Sequence, residues 1–360
     1  MYYFQVLGND ADIPQIITWS HFNLRRYYML TKRQNMLEVV RGGNPDRLVK
    51  QYEALQFVME TPYAMQYPLM PAGPGSDPVK CAWGYYNAWP AGQPGAFPLH
   101  DAAHIVCPDI SEWQKYVKAP SIDYTEEDWK PAMEAAAKID RNEYFVTAFV
   151  APGLFEMVHY LCEIQEALVA FYEDPDAVHS LIEYVTEWEL RWAEQICKYM
   201  KPDALFHHDD WGTQKSTFLS PEMFREFFLE PYRKIYQYYH DHGVELVIHH
   251  CDSYGATLVP TMIDMGIDVW QGCMSTNNLP ELVKKYGDKI TFMGGIDNGK
   301  IDKPDCTQEM VAAETDQLCR DCGKLGFIPC ETHGLNFSVF PDVYPMGDIE
   351  IEKMSREMFG

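Results

Sequence analysis

The sequence lacks long hydrophobic runs and a surplus of basic residues. No apolar stretch approaches the roughly 20 residues that span a bilayer, and no basic segment leads into an apolar one at the N-terminus, as in a secretory signal. We therefore expect a cytoplasmic protein with no membrane association. The 29 Lys and Arg against 53 Asp and Glu give a formal charge of −24, which repels nucleic acid. Neutral or cationic small molecules fit this chain better than polyanions.

Cysteine is too sparse for a secreted disulfide framework. The ten cysteines in 360 residues are interpreted as reduced, mostly buried thiols. Cys319 and Cys322 form a CxxC pair, but they lie on a predicted helix with no second pair, so we interpret this pair as incidental. No GxGxxG or GxxxxGK[ST] motif follows a predicted strand, which disfavours the nucleotide-binding α/β folds.

Strand and helix patterns alternate after residue 120. A helical pattern opens at Ser220 and Pro221 and closes at Gly243. Short apolar strands between such helices predict a parallel sheet covered on both faces. We predict a single α/β domain, a (β/α)8 TIM-type barrel over residues 29–360, preceded by an N-terminal arm or extension at residues 1–28. The predicted strands are 143–150, 204–208, 244–249, 267–272, 290–295 and 326–330.

The stretch between residues 60 and 120 is rich in Pro, Gly and aromatic residues. It is too apolar for a disordered linker, so we predict ordered loops and short strands over the barrel mouth. Trp83, in the aromatic segment 83–97, is a candidate for substrate binding. A purely structural cap over the barrel is the alternative.

Polar and metal-binding side chains gather where consecutive predicted strands end. Barrel enzymes carry their chemistry at the carboxyl ends of the strands, so these positions predict a site. We predict Asp209 or Asp210 as a catalytic residue, supplying a proton or fixing a substrate hydroxyl. The predicted substrate-binding residues at these ends are Trp211, Gln271 and His333.

His249, Cys251 and Cys330 are the candidate metal ligands. His249 and Cys251 are two apart on a strand, so their side chains leave the same face. Cys330 ends a strand two units further on and can reach the same volume. One imidazole and two thiolates suit Zn²⁺ and leave its fourth position open for a substrate. The spacing leaves an alternative open, in which both cysteines fill the core and His249 is a hydrogen-bonded core histidine.

Several blocks of the chain resemble the uroporphyrinogen-decarboxylase-like superfamily, in the expected order over about residues 30–358. The RQAGRY-like motif of true uroporphyrinogen decarboxylases is absent, whereas His249, Cys251 and Cys330 match the His-x-Cys and distant Cys of the corrinoid-linked methyltransferase branch. The blocks are TKRQNMLEVVRGGNPDR, APGLFEMVHYL, DDWGTQKSTFLSPEMFREFFLEPYRKI, VIHHCDSYG and FMGGIDN.

This resemblance implies a zinc-dependent methyltransferase whose corrinoid (methylcobamide) is carried by a partner, a corrinoid-binding protein. The reaction would move a methyl group between a small-molecule donor or acceptor and the cobalt. The aromatic segment 83–97 favours an O-methyl substrate such as a methoxyaromatic compound. One alternative is a methylcobamide:thiol methyltransferase similar to the coenzyme M enzymes, and a second is a metal-free uroporphyrinogen-type decarboxylase.

Overall fold

The computed structural model describes residues 29–93, 95–332 and 338–360. The predicted arm at residues 1–28 and the candidate residue His333 lie outside this part of the chain. The strands are β1 (Leu55–Phe57), β2 (Val79–Lys80), β3 (Tyr86–Ala88), β4 (Phe97–Pro98), β5 (Phe145–Val150), β6 (Ala204–His208), β7 (Leu246–His250), β8 (Val269–Cys273), β9 (Thr291–Ile296) and β10 (Phe327–Glu331).

The longer helices follow the strands of the main sheet. Within the described ranges, no helix is both long and apolar enough to cross a membrane. The helices are α1 (Lys32–Val40), α2 (Pro62–Gln66), α3 (Glu126–Ala137), α4 (Leu154–Cys162), α5 (Ile164–Glu173), α6 (Pro175–Gln195), α7 (Pro221–Asp241), α8 (Val259–Met265), α9 (Leu279–Tyr286), α10 (Asn298–Ile301), α11 (Gln308–Cys322) and α12 (Val343–Phe359).

Seven parallel strands form one curled sheet in the order β1-β5-β6-β7-β8-β9-β10. This confirms the predicted α/β class and the parallel sheet. The predicted eight-stranded closed barrel is corrected to a TIM-like half-barrel, because no ladder joins β10 to β1 among the described residues. Helix α1 contacts β10 at that side instead, where the Gly326 amide donates to the Val39 carbonyl over 3.2 Å.

The predicted βα alternation is confirmed element by element. Each predicted strand coincides with an observed one, and their ends differ by at most two residues. Helix α7 begins at Pro221, and the Ser220 side chain accepts a hydrogen bond from the Met223 amide over 3.2 Å. The turn after the helix is taken by Gly243 with φ +98°, a conformation that glycine adopts without strain.

Side chains of the main sheet alternate between two buried faces. One set, which we call the inner face, comes from every strand of the curled sheet and packs together; it includes Phe206, Ile248 and Cys330. The other set, the outer face, packs against the helices and includes Val247 and Cys251. Because both faces are buried, apolar residues occupy both of them, and the strand sequences do not reveal which residues point inward.

The region between residues 60 and 120 contains α2 and a small antiparallel sheet of strands β2, β3 and β4. These are the short strands and ordered loops that the composition predicts. Trp83 and Tyr85 lie in the turn between β2 and β3, and both are buried. The region therefore packs as an ordered layer rather than a loose linker.

Candidate metal centre at the carboxyl ends of the strands

His208 and His250 lie side by side at the ends of β6 and β7. They are paired in register, and their rings stack with centroids 4.5 Å apart. Asp210 follows two residues after His208 and places its Oδ1 4.0 Å from Nε2 of His250. The ligand atoms of these three residues lie within 4.8 Å of one another. In the part of the chain that the structure describes, no other group of three His, Cys, Asp or Glu residues meets this condition.

Each histidine is oriented by a hydrogen bond to its Nδ1. The His208 Nδ1 lies 2.9 Å from the Oε2 of Glu156, which belongs to α4, and the His250 Nδ1 bonds the side-chain oxygen of Gln271 on β8. The Tyr160 hydroxyl donates to the other Glu156 oxygen over 2.9 Å. Outer partners of this kind fix the ring orientation of metal-binding histidines and leave Nε2 as the ligand atom.

Negative charge surrounds the two imidazoles. Burial lowers the pKa of His208, but the carboxylates of Glu156, Asp210 and Asp252 outweigh this and raise it to about 10. Burial and the nearby Asp210 raise the pKa of Asp252 well above its usual range. The Asp252 amide donates to Oδ1 of Asp210 over 2.8 Å and holds that carboxylate in place. A bound cation would compensate the excess of carboxylates here.

The donor set suits a divalent transition-metal ion. Two imidazoles and one carboxylate bind Zn²⁺ in catalytic sites that keep an open position, and the same set binds Fe²⁺ in non-haem oxygenases. In this chain the three donors come from the ends of two adjacent strands, and both rings already have outer partners on Nδ1. The residues therefore fit a metal centre in which three protein ligands leave a coordination position open.

The structure does not bring the predicted zinc ligands together. His249 belongs to the outer face, where its Nδ1 lies 2.7 Å from the Tyr236 hydroxyl of α7 and its ring stacks on Trp211. Cys251 packs in the same outer cluster, whereas Cys330 packs in the inner one. The expectation that all three share one volume is corrected, because the sheet lies between them. A zinc ion held by these three residues stays a prediction, which this arrangement does not support.

Asp209 is fully buried beneath the site. Its carboxylate accepts hydrogen bonds from the Phe155 amide over 2.9 Å, the Glu156 amide over 2.7 Å and the Trp211 Nε1 over 2.8 Å. The Tyr232 hydroxyl also donates to it. Asp209 therefore fixes the first turn of α4, which carries Glu156, and has no surface of its own for a substrate.

Asp210 differs from Asp209 in its exposure. Its side chain is 29% exposed and lies beside the two histidines. The catalytic roles predicted for Asp209 and Asp210 stay predictions, and the geometry favours Asp210 as the residue that can meet a ligand. Burial together with the neighbouring Glu156 raises the pKa of Asp209 to about 7.

The predicted substrate-binding residues fall in different places. Gln271 contacts His250, as described, and Trp211 covers His249 on the outer face. Trp83 lines a separate cavity of about 280 Å³ at the same edge of the sheet. The cavity is also lined by Val58, which follows β1, and by Val150, the last residue of β5. Contact of these residues with a substrate stays a prediction.

Sequence reasoning missed His208, His250 and Glu156 as members of one site. A signal was present, because histidine pairs end two neighbouring strands, at 207–208 and 249–250. Register then places one histidine of each pair on the same face as its counterpart. Which histidine of each pair faces the site can be read only from the folded structure.

A curled parallel α/β sheet with its polar site at the carboxyl ends of the strands defines the class of TIM-barrel-like enzymes. Residues 97–343 match the family model described as uroporphyrinogen decarboxylase (URO-D). This match spans more than half of the chain, and the chain therefore belongs to the uroporphyrinogen decarboxylase family.

A solved structure shows the same fold. A methyltransferase from Methanosarcina mazei aligns with a TM-score of 0.59 at 11% identity, over 92% of this chain and 99% of that one. A B12-independent methionine synthase from Shewanella sp. W3-18-1, in complex with selenomethionine, aligns with a TM-score of 0.43 at 14% identity, over 67% of each chain. No curated protein sequence matches the chain.

Proposed function

We propose that this protein is a zinc-dependent methyltransferase whose metal is held by His208, Asp210 and His250. The methyl group would move between a small substrate and the cobalt of a corrinoid carried by a partner protein. The observation that carries the proposal is the pair of oriented imidazoles beside one carboxylate at the ends of β6 and β7. The family and the fold shared with a Methanosarcina mazei methyltransferase support the same activity.

The residues of this chain would divide the work as follows. Bound zinc would supply Lewis-acid polarisation of a substrate oxygen, or lower the pKa of a substrate thiol. Glu156 and Gln271 would keep the two imidazoles in place, and Asp252 would hold Asp210 through its amide. The neighbouring cavity would bind part of the substrate and exclude water from it.

A uroporphyrinogen-type decarboxylase is the competing activity within the family. Its polycarboxylate substrate requires several cationic partners. Of the described side chains that line the 280 Å³ cavity, none is Arg or Lys, and Glu189 adds a negative charge. We therefore favour a neutral or cationic methyl donor, such as a methoxyaromatic compound or a methylated amine. If the methyl group instead moves from the corrinoid to the substrate, we favour a thiol as its acceptor.

Metal analysis of purified variants tests the site. We expect about one zinc ion per wild-type chain, lost in His208→Ala and His250→Ala and retained in Cys251→Ala and Cys330→Ala. Loss from the cysteine variants with retention in His208→Ala would instead support the ligand set His249, Cys251 and Cys330. Stoichiometric iron in place of zinc would keep the site and overturn the zinc assignment.

Methyl transfer is tested by mixing the protein with a Co(I) corrinoid protein and candidate methyl donors. We expect the corrinoid absorbance to change on methylation with at least one methoxyaromatic, methanol or methylamine, and not with His208→Ala. Silence with all donors, together with methylation of a thiol from the methylated corrinoid, would favour the thiol-methylating direction. Release of carbon dioxide from a porphyrinogen carboxylate without any metal would overturn the methyltransferase proposal.

A further inference from the structure

Seven of the 21 described residues that line the cavity at the ends of β1 and β5 are aromatic. The Tyr63 ring lies with its centroid 5.4 Å from those of Trp188 and Trp192, and Trp83 lies 5.3 Å from Trp188. The planes of these three ring pairs are inclined by 47–72°, whereas Trp188 and Trp192 are inclined to each other by only 24°. Aromatic faces arranged around a small space attract cations, and quaternary ammonium groups above all.

One acidic side chain completes the wall. Among the described residues around the cavity, Glu189 of α6 is the one that carries a charge. It is buried, and its Oε1 lies 2.7 Å from Nε2 of His207, which is fully buried as well. A carboxylate away from water interacts strongly with a cation because the local dielectric constant is low. The formal charge of −24 also concentrates cations near the protein.

Trp83 adds a hydrogen-bond donor to the same wall. Its Nε1 is buried and makes no well-formed hydrogen bond to a described residue. The Tyr63 side chain lies close to it and interacts with it weakly. A buried donor without an acceptor is costly. An oxygen atom of a ligand in the cavity would satisfy it, so the wall offers a second point of recognition besides the aromatic faces.

We infer that this cavity binds a small methylated ammonium compound that also carries an oxygen acceptor, with choline as the simplest probe. The aromatic rings and Glu189 would hold the onium group, and the Trp83 indole N–H would donate to the oxygen. The cavity adjoins the candidate metal centre through Phe149, whose ring stacks on Phe206 with centroids 5.9 Å apart; Phe206 in turn stacks on His250. Binding does not depend on methyl transfer, whereas a role for the ligand as substrate rests on the proposed function.

Calorimetric titration of the full chain tests the inference with four probes. These are choline, its neutral carbon isostere with a tert-butyl group in place of trimethylammonium, tetramethylammonium, and veratrole. We expect choline to bind about tenfold or more tightly than the neutral isostere, the effect of a desolvated cation on aromatic faces. Tetramethylammonium, which lacks the oxygen, should bind more weakly than choline. The titrations are repeated after chelation of metal, where choline affinity should be unchanged.

Two variants separate the contributions of the wall. Glu189→Gln should lower choline affinity about tenfold and leave that of the neutral isostere unchanged. Trp83→Phe should reduce choline affinity to the level of tetramethylammonium. Glu166→Gln, an exposed glutamate on α5, is the matched control and should bind as the wild type does.

Results with the wild-type protein alone can overturn the inference, so it does not depend on variants that fold poorly. Equal or tighter binding of the neutral isostere or of veratrole would show that the cavity selects neutral molecules. Absence of choline binding to folded protein would also reject it. If choline binds but no metal is found at His208, Asp210 and His250, the proposed function fails and the binding inference stands.

Discussion

His208 and His250 occupy paired positions on neighbouring strands, and their rings stack with centroids 4.5 Å apart. Strand register sets the distance between their backbones, but it does not set the rotation of the rings. That rotation depends on two hydrogen-bond partners: Glu156 of helix α4 bonds the Nδ1 of His208, and Gln271 of strand β8 bonds the Nδ1 of His250. The geometry of the candidate metal centre therefore depends on residues that are not among its three candidate ligands.

Removal of these outer partners should weaken metal binding without abolishing it. We expect Glu156→Gln and Gln271→Ala each to lower metal affinity by about 10–100-fold, because the imidazoles lose their fixed orientation. Competition with a chromogenic chelator measures the affinity. Gln237→Ala, an exposed glutamine on α7, is the control. Wild-type affinity in both site variants would contradict a metal at His208 and His250.

The fold could be predicted largely from local patterns. The run ALFHH is β6 in full, and the helix that opens at Ser220 follows its capping residue and Pro221. These elements are determined by nearby residues, so one sequence contains enough information. Barrel closure is different, because it depends on whether the first and last strands meet. Here β1 has three residues, and α1 contacts β10.

The position of the site in the fold could be predicted from the sequence, but the residues that form it could not. Its position at the ends of β6 and β7 follows from the general rule for parallel α/β sheets. The choice between His249 and His250 does not, since Ile248 on the inner face and Val247 on the outer face are equally apolar. The resemblance to zinc methyltransferases favoured His249 with Cys251. In the structure these two face the helices.

Asp209 is predicted to stabilise the fold rather than react. Asp209→Asn should lower the free energy of unfolding by about 2–4 kcal/mol, because an amide cannot accept all four buried hydrogen bonds. Urea denaturation measures the change. The neighbouring Asp210→Asn variant should keep near wild-type stability and lose metal. An Asp209→Asn protein as stable as wild type but without activity would restore a catalytic role for Asp209.

Gly153 is predicted to be required by close packing beside the site. A Cβ at this position would lie 2.4 Å from the Asp209 Cβ and 2.7 Å from the Tyr232 hydroxyl oxygen. We expect Gly153→Ala to destabilise the protein by about 1–3 kcal/mol, since neither neighbour is at the end of a flexible chain. Thermal unfolding measures this. Gly73→Ala is the control, because a Cβ there meets no atom within 4 Å. Equal melting temperatures for the two variants would show that α4 can shift without cost.

His159 should make the protein sensitive to acid. Burial, reinforced by the nearby His100, lowers its pKa to about 3, whereas an unfolded chain has a histidine pKa of about 6.5. Below about pH 6.5 the unfolded state binds a proton that the folded state does not, so stability falls by up to about 1.4 kcal/mol per pH unit until about pH 3.

The variant His159→Phe isolates this contribution from that of the other titratable groups. Its ring can replace the imidazole among Phe155 and Tyr160, whose centroids lie 5.3 and 4.8 Å from that of His159. Urea unfolding at about pH 7 and about pH 5 should show a smaller loss of stability on acidification for the variant than for wild type. An identical loss in both proteins would mean that His159 takes up its proton in the folded state, and that water reaches it there.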